Sequence, residues 1–237
     1  MKMAGRRWAA SLVALMVPGL APLAAEPLSP LRPAEAAMFT GVGVVNGKGP
    51  LGDAACSGTL IAPDLVLTAA HCVANGDGPR WFMPGGLGPR ARAAVQARKI
   101  TVHPEYNERT DLARFAVDLA LMQLGAPLPA QVATPLPVLE RAGADATQFA
   151  VIGFVLKGPL APVGRFDCDL QSGSVATQMT LGCPVYAGNS GAPALVRTPS
   201  GWRVAAVLVA QLGRGPGSTA LTAPLNGWLR DQLARRR

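Results

Sequence analysis

The sequence has few of the residues from which metal centres and nucleic-acid surfaces are built. Only two histidines occur in 237 residues and no Cys-x-x-C pair is present, so a zinc site is not expected. Aromatic residues make up 5% of the chain, and they do not alternate with basic ones as they do in nucleic-acid binders. The net charge of +8 is scattered except at the last three residues, and we interpret it as a solvated surface. We therefore expect no cofactor, no metal and no nucleic-acid partner.

Long apolar runs are absent after the first residues. A basic start, the apolar residues 8–17 and the small residues Ala24 and Ala25 together indicate an export signal over residues 1–25. Cleavage is expected after Ala25, with Ala36 or Ala37 as alternatives. No later segment has the ~18 uninterrupted apolar residues of a membrane helix. We expect a secreted or periplasmic protein that is monomeric and makes no membrane contact once the signal is removed.

All four cysteines lie beyond that signal. In an oxidising compartment, four cysteines most simply form two disulfides, for which three pairings exist. Pairing Cys56 with Cys72 and Cys168 with Cys183 keeps both bridges local. Each would contribute about 3 kcal/mol in the chain-entropy model.

The chain after residue 38 has the pattern of an all-β protein, because short apolar segments alternate with glycine and proline and helical periodicity is rare. Residues 26–38 contain three prolines and are predicted to be a leader, a short propeptide or a disordered arm. The predicted strands are residues 40–45, 58–61, 65–68, 91–102, 119–124, 147–153, 164–169, 175–180, 192–196, 204–210 and 218–221.

One helix is predicted near the C-terminus. Leu225, Trp228, Leu229 and Leu233 fall on one face, and Thr222 is the predicted N-cap. Arginines crowd the far end, where the helix dipole favours them. We interpret Trp228 as a core anchor for this helix.

The most informative feature is a histidine directly followed by a cysteine. His71 precedes Cys72, and Cys56 lies sixteen positions earlier. Between them, residues 59–61 and 65–68 form two short β-rich segments separated by a turn signal. A disulfide between the two cysteines would close that hairpin and fix the backbone of His71, as a catalytic base requires.

A serine nucleophile needs a base, a group that orients the base, and donors for the oxyanion. Ser190 lies in a small-residue turn, in which Gly188 permits a backbone conformation forbidden to other residues. The amides of Gly188 and Ser190 could therefore converge. Asp118 leads into an apolar strand and would need a buried partner, which His71 could supply. Asp111, in a polar stretch, is the alternative.

Four segments together resemble the signature blocks of trypsin/chymotrypsin-like serine peptidases. They are LTAAHC (67–72), VHPEYN (102–107), VDLALMQL (117–124) and GNSGAP (188–193). Outside these four segments the resemblance is weak, but it extends over residues 39–231. It implies two six-stranded antiparallel β-barrels, the first in residues 39–130 and the second, with the C-terminal helix, in residues 131–237.

The resemblance also implies the roles of individual residues. His71, Asp118 and Ser190 would form the catalytic triad, and the amides of Gly188 and Ser190 the oxyanion hole. Cys56–Cys72 would be the disulfide of the histidine loop, and His103 a loop residue without a catalytic role. The expected activity is that of a secreted serine endopeptidase acting on peptides or proteins. A catalytically silent, peptide-binding pseudo-protease and an esterase are the alternatives.

Departures from the family pattern bear on activation and specificity. Asn189 stands where animal members have the aspartate that pairs with a newly cut N-terminus, so such activation is not expected. The Gly-Asn-Ser-Gly sequence is more similar to secreted bacterial members, including glutamyl endopeptidases. Pro184 stands where trypsin has the aspartate that binds Lys or Arg side chains. The strand at 207–211 lacks the histidine with which glutamyl endopeptidases bind Glu.

We place four residues at the substrate pocket: Pro184, Val209, Ala210 and Gln211. Because none of them is charged, small or medium apolar side chains are the expected preference at the cleaved bond.

Overall fold

The computed structural model describes residues 28–236 except for residues 54, 76–77, 141–147, 172–177 and 214–217. The predicted export signal, residues 1–25, lies outside the described residues. Within the described ranges, no helix combines the length and the apolar character that crossing a membrane would require.

The described chain is built mainly of short strands, with two α-helices near its ends. The helices are α1 (Pro33–Met38) and α2 (Gly227–Ala234). The strands are β1 (Ser29–Pro30), β2 (Val42–Asn46), β3 (Cys56–Ala62), β4 (Leu65–Thr68), β5 (Trp81–Pro84), β6 (Val95–Val102), β7 (Ala120–Leu124), β8 (Phe149–Gly153), β9 (Val163–Cys168), β10 (Leu170–Gln171), β11 (Thr180–Leu181), β12 (Pro193–Thr198), β13 (Gly201–Leu212) and β14 (Thr219–Pro224).

Six antiparallel strands close into a barrel in the N-terminal half, in the order β2-β3-β4-β7-β6-β5. Closure leaves no unpaired edge. Alternate residues point inward and form the barrel core, in which Leu60, Val66, Phe82 and Met122 are fully buried. The first of the two expected barrels is confirmed.

Seven strands of the C-terminal half and β1 from the N-terminal segment form an eight-stranded sheet in the order β1-β9-β8-β12-β13-β14-β11-β10. The all-β class with two sheets and a short C-terminal helix is therefore confirmed, but over the described residues only the first sheet closes into a barrel, and the second has more strands than the six expected. The additional strands, β1 and β10, are its end strands and contain two residues each.

Most predicted strands overlap observed ones, and β4 matches its prediction residue for residue. The strand predicted at 91–102 begins only at Val95, and a 3-10 turn, Gly88–Arg90, precedes it in the chain. Sequence analysis missed β5, whose four residues end in a proline. The strand predicted at 175–180 lies mostly outside the described residues, and its last position begins β11.

The predicted N-cap of the C-terminal helix is wrong. Asn226, not Thr222, caps α2, and its side-chain oxygen accepts a hydrogen bond from the Leu229 amide at 3.2 Å. Thr222 lies in β14, fully buried, and its hydroxyl donates to the Met179 carbonyl at 2.6 Å. Pairing with β13 extends this strand over Thr222, so the helix can begin only after it. Trp228 of α2 packs against the main core cluster.

Residues 28–38, within the segment predicted to be a leader, contact the second sheet. β1 pairs with Val163 and Gly164 of β9, and the Leu31 amide donates to the Pro162 carbonyl at 3.2 Å. The Leu31 side chain packs against the buried core cluster. Removal of this segment in the mature protein stays a prediction.

The two local disulfides, Cys56–Cys72 and Cys168–Cys183, are both present. The first joins the start of β3 to the segment that follows β4. The second joins the end of β9 to the residue two positions beyond β11. The pairing predicted from their spacing is confirmed.

A leucine substitution tests whether the N-terminal segment belongs to the folded protein. Leu31→Ala should lower the free energy of unfolding by roughly 1–2 kcal/mol, less than the ~2–5 kcal/mol of a fully buried leucine, since Leu31 is only partly buried. Leu51→Ala is the matched control, because Leu51 is 96% exposed, and should change stability by less than about 0.5 kcal/mol. Denaturant titration measures both. Equal stabilities of the two variants would contradict the packing of residues 28–38.

A pH titration tests the burial of His103. This residue is buried with its ring centroid 5.0 Å from that of Trp228. Burial lowers the pKa of His103; Glu105 opposes the shift and Arg109 adds to it. The folded state then binds fewer protons than the unfolded state, so stability falls as pH drops through the unfolded pKa of about 6.5. The free energy of unfolding should therefore decline from about pH 7.5 to about pH 5.5, and decline less in His103→Asn. Identical slopes would rule out this contribution.

Candidate active site

The backbone of His71 is fixed from both sides. The residue lies in a 3-10 turn, Ala70–Cys72, that begins two positions after β4. Its neighbour Cys72 is bonded to Cys56, and the Val73 and Ala74 amides both donate to the Ala70 carbonyl. The side chain of His71 remains 32% exposed, so its ring is held in place but accessible.

Asp118 binds His71 through both carboxylate oxygens. Oδ2 lies 2.6 Å from Nδ1 of the ring, and Oδ1 accepts a hydrogen bond from the His71 amide at 2.9 Å. Asp118 is buried at the entrance to β7, and these two contacts compensate its loss of hydration. Because Nδ1 is engaged, Nε2 is the ring nitrogen left to exchange a proton.

The alternative aspartate has a different environment. Asp111 is exposed and caps the 3-10 turn Leu112–Val117, where its side chain accepts from the Ala113 amide at 3.1 Å. The structure thus brings Asp118, and not Asp111, into contact with His71.

Ser190 lies in a tight turn before β12. The Asn189 amide donates to Tyr186, and the Ala192 amide donates to Asn189. Gly188 has a φ of +101°, and a Cβ at this position would lie 2.5 Å from the Leu156 nitrogen. Only glycine fits this position.

The turn leaves three polar groups available to a ligand. Among the described residues, the amides of Gly188 and Ser190 and the Ser190 hydroxyl have no hydrogen-bond partner. The Ser190 carbonyl lies 3.7 Å from the sulfur of Cys72, so the turn is next to the histidine loop. Two unpaired amides beside a serine hydroxyl can stabilise a developing oxyanion.

A cavity of about 180 Å³ opens beside Ser190. Its other lining residues are Val185, Tyr186, Ala187, Asn189, Leu208, Val209, Ala210 and Gln211. Val209, Ala210 and Gln211, three of the four residues predicted at the substrate pocket, line this cavity. The fourth, Pro184, is not part of this lining: it is buried, and the next residue, Val185, forms the wall instead.

A second cavity, of about 570 Å³, lies beside His71 and shares Val209 with the first. Sequence analysis missed Leu112, Arg114 and Phe115 in its lining, although an apolar residue such as Leu112 in a polar stretch was an available signal. The Arg114 guanidinium donates to the Tyr106 hydroxyl at 2.6 Å and lies over the Tyr106 ring. Burial, followed by the charge of Asp118, raises the pKa of Tyr106, which Arg114 partly offsets.

Three potential metal ligands meet at the histidine loop. Ligand atoms of Cys56, His71 and Cys72 lie within 4.8 Å of one another. The two sulfurs are joined in a disulfide, so neither can bind a metal as a thiolate.

Comparison with known proteins agrees with this geometry. The family model Trypsin matches residues 33–225. Serine protease 56 of Homo sapiens is 30% identical over 217 residues, which are 77% of this chain and 35% of that protein. Granzyme-like protein 1 of Rattus norvegicus is 28% identical over 143 residues, 58% of this chain and 54% of that protein. The chain thus spans about a third to a half of these relatives. With a family match over most of its length, the chain belongs to the trypsin family of serine proteases.

Proposed function

We propose that the protein is a secreted serine endopeptidase that hydrolyses peptide bonds through an acyl-enzyme. The observation that carries the proposal is the contact of buried Asp118 with Nδ1 of His71, 2.6 Å long. Such a contact orients an imidazole as a base. Ser190 and the unpaired amides of Gly188 and Ser190 lie beside the loop that carries His71.

In the proposed reaction, His71 Nε2 takes the proton of the Ser190 hydroxyl while Oγ attacks the substrate carbonyl carbon. Asp118 keeps the other ring proton on Nδ1 and stabilises the imidazolium that forms. The Gly188 and Ser190 amides donate to the oxyanion of the tetrahedral intermediate. His71 then protonates the leaving amine, and water attacks the acyl-enzyme by the same route in reverse.

A catalytically silent peptide-binding protein on the same fold is the alternative. One observation favours it: within the described residues, the Ser190 hydroxyl makes no hydrogen bond to His71. Catalytic contacts of this kind are often long in ligand-free enzymes and tighten when substrate binds. The buried Asp118–His71 contact has no comparable use in a binding protein, so we favour the peptidase.

Export and constitutive activity complete the proposal. The basic and apolar start of the chain supports secretion. The Gly-Asn-Ser-Gly sequence supports a likeness to secreted bacterial members, and Asn189, in place of an aspartate, supports activity that does not depend on a newly cut N-terminus.

Fluorophosphonate labelling tests the triad without knowledge of the substrate. Ser190 should be the labelled residue, and Ser190→Ala should abolish both labelling and turnover. Asp118→Asn should lower kcat about 10⁴-fold, because the imidazole then adopts the wrong tautomer. Asp111→Asn is the matched control and should keep near-normal activity. An active Asp118→Asn together with an inactive Asp111→Asn would move the orienting role to Asp111. A folded wild type that is not labelled would favour the silent binding protein.

Cleavage of a mixed peptide library tests the specificity. No charged residue lines the cavity of about 180 Å³ beside Ser190, so small or medium apolar side chains should be preferred at the cleaved bond. Burying such a side chain contributes about 1.5–3 kcal/mol. A strict preference for Lys or Arg would show that a different cavity receives the side chain.

A further inference from the structure

We infer that Ser57 is a positioning residue that holds the oxyanion loop, residues 186–190, in shape across the boundary between the two sheets. The inference rests on the proposed function of that loop. No sequence signal pointed to Ser57, since it lies in the first barrel and 133 positions before Ser190. It deepens the proposed mechanism by explaining what fixes the two donor amides.

Ser57 makes three hydrogen bonds to the C-terminal half. It is fully buried in β3. Its amide donates to the Ser190 carbonyl at 2.7 Å. Its hydroxyl donates to the Gly188 carbonyl at 2.8 Å and accepts from the Phe154 amide at 2.9 Å. One side chain of the first barrel therefore binds the loop and the segment on which the loop rests.

Hydrogen bonds hold the peptide groups on both sides of Gly188. The Ala187 carbonyl accepts from the Leu156 amide at 2.7 Å. In a trans peptide the carbonyl and the next N–H point in opposite directions, so the Gly188 N–H is directed away from Leu156. A glycine at this position rotates freely unless it is held, and the Ser57 hydroxyl supplies the restraint by binding the Gly188 carbonyl.

The close approach of the two sheets leaves this arrangement little room to change. Gly191 has a φ of +82°, and a Cβ there would lie 2.1 Å from the Ser57 carbonyl oxygen and 2.2 Å from the Thr68 hydroxyl. The Thr68 hydroxyl in turn donates to the Ser57 carbonyl at 2.8 Å. The residue that follows the loop, Gly191, thus packs directly against β3 and β4.

Asn189 completes the restraint from inside the loop. Its Oδ1 accepts from the Tyr186 amide at 2.8 Å, and its Nδ2 donates to the Phe154 carbonyl at 2.9 Å. Ser57 therefore binds the backbone amide of Phe154, and Asn189 binds its carbonyl. Every member of this network is neutral, and Ser57, Phe154 and Asn189 are buried, so the loop is held without the charge of an amino terminus.

Ser57→Ala is the direct test. It leaves the Gly188 carbonyl and the Phe154 amide without their partner, so the donor amides lose their alignment. The rate of fluorophosphonate labelling at Ser190 and kcat should each fall roughly ten- to a hundredfold, as for a small misplacement of catalytic groups, with KM little changed. Thr59→Val is the matched control, because Thr59 lies in the same strand, is buried, and its hydroxyl has no partner among the described residues. It should label at the wild-type rate.

A second variant covers the case in which Ser57→Ala does not fold. Asn189→Asp keeps the shape but replaces the donor to the Phe154 carbonyl with an oxygen. It should slow labelling to a similar extent. Because both residues act through Phe154, the double variant should lose less than the product of the two single effects.

Hydrogen exchange separates this inference from the proposed function. Amide exchange of residues 186–190 should rise in Ser57→Ala and not in Thr59→Val, whether or not the protein is active. A wild type that is not labelled would contradict the proposed function. A folded Ser57→Ala with wild-type labelling and wild-type exchange would overturn the role of Ser57.

Discussion

A carboxylate removed from water must find hydrogen-bond donors, and in this protein that requirement organises the first half of the site. Asp118 is buried just before β7, and its carboxylate binds two groups of His71, the ring nitrogen Nδ1 and the backbone amide. Both contacts require the segment after β4 to lie against the start of β7. The pairing of these strands and the Cys56–Cys72 disulfide hold it there. The orientation of the proposed base thus depends on the pairing of β4 with β7 and on the Cys56–Cys72 disulfide.

The second half of the site belongs to the other sheet, so the proposed catalysis depends on how the two halves meet. Ser190 is held by hydrogen bonds within its turn and by the Ser57 amide from the first barrel. The close packing of Gly191 on β3 and β4 leaves no space for a side chain at this position. Small residues at this boundary let the backbones approach closely enough for direct hydrogen bonds. The cavity beside Ser190 is lined only by residues of the second half.

The sequence predicted those features that depend on residues close together in the chain. β4 was predicted residue for residue because a turn signal directly precedes its short apolar segment, and the disulfides because their loops are short. Asp118 was distinguished from Asp111 because only the former leads into an apolar strand. The helix N-cap was predicted wrongly because strand pairing overrode a local signal. Thr222 has the side chain of a helix cap but lies in β14, and Asn226 caps the helix. The role of Ser57 was not visible, because the groups that it binds lie about a hundred or more positions away.

A crystal structure of the protein after reaction with a fluorophosphonate tests the central claim most directly. The account predicts phosphorus bonded to Ser190 Oγ, with a phosphoryl oxygen about 3 Å from the amide nitrogens of both Gly188 and Ser190. Nδ1 of His71 should remain on Asp118, and the Ser57 hydroxyl on the Gly188 carbonyl. An adduct on another residue, or a phosphoryl oxygen directed away from these amides, would contradict the account.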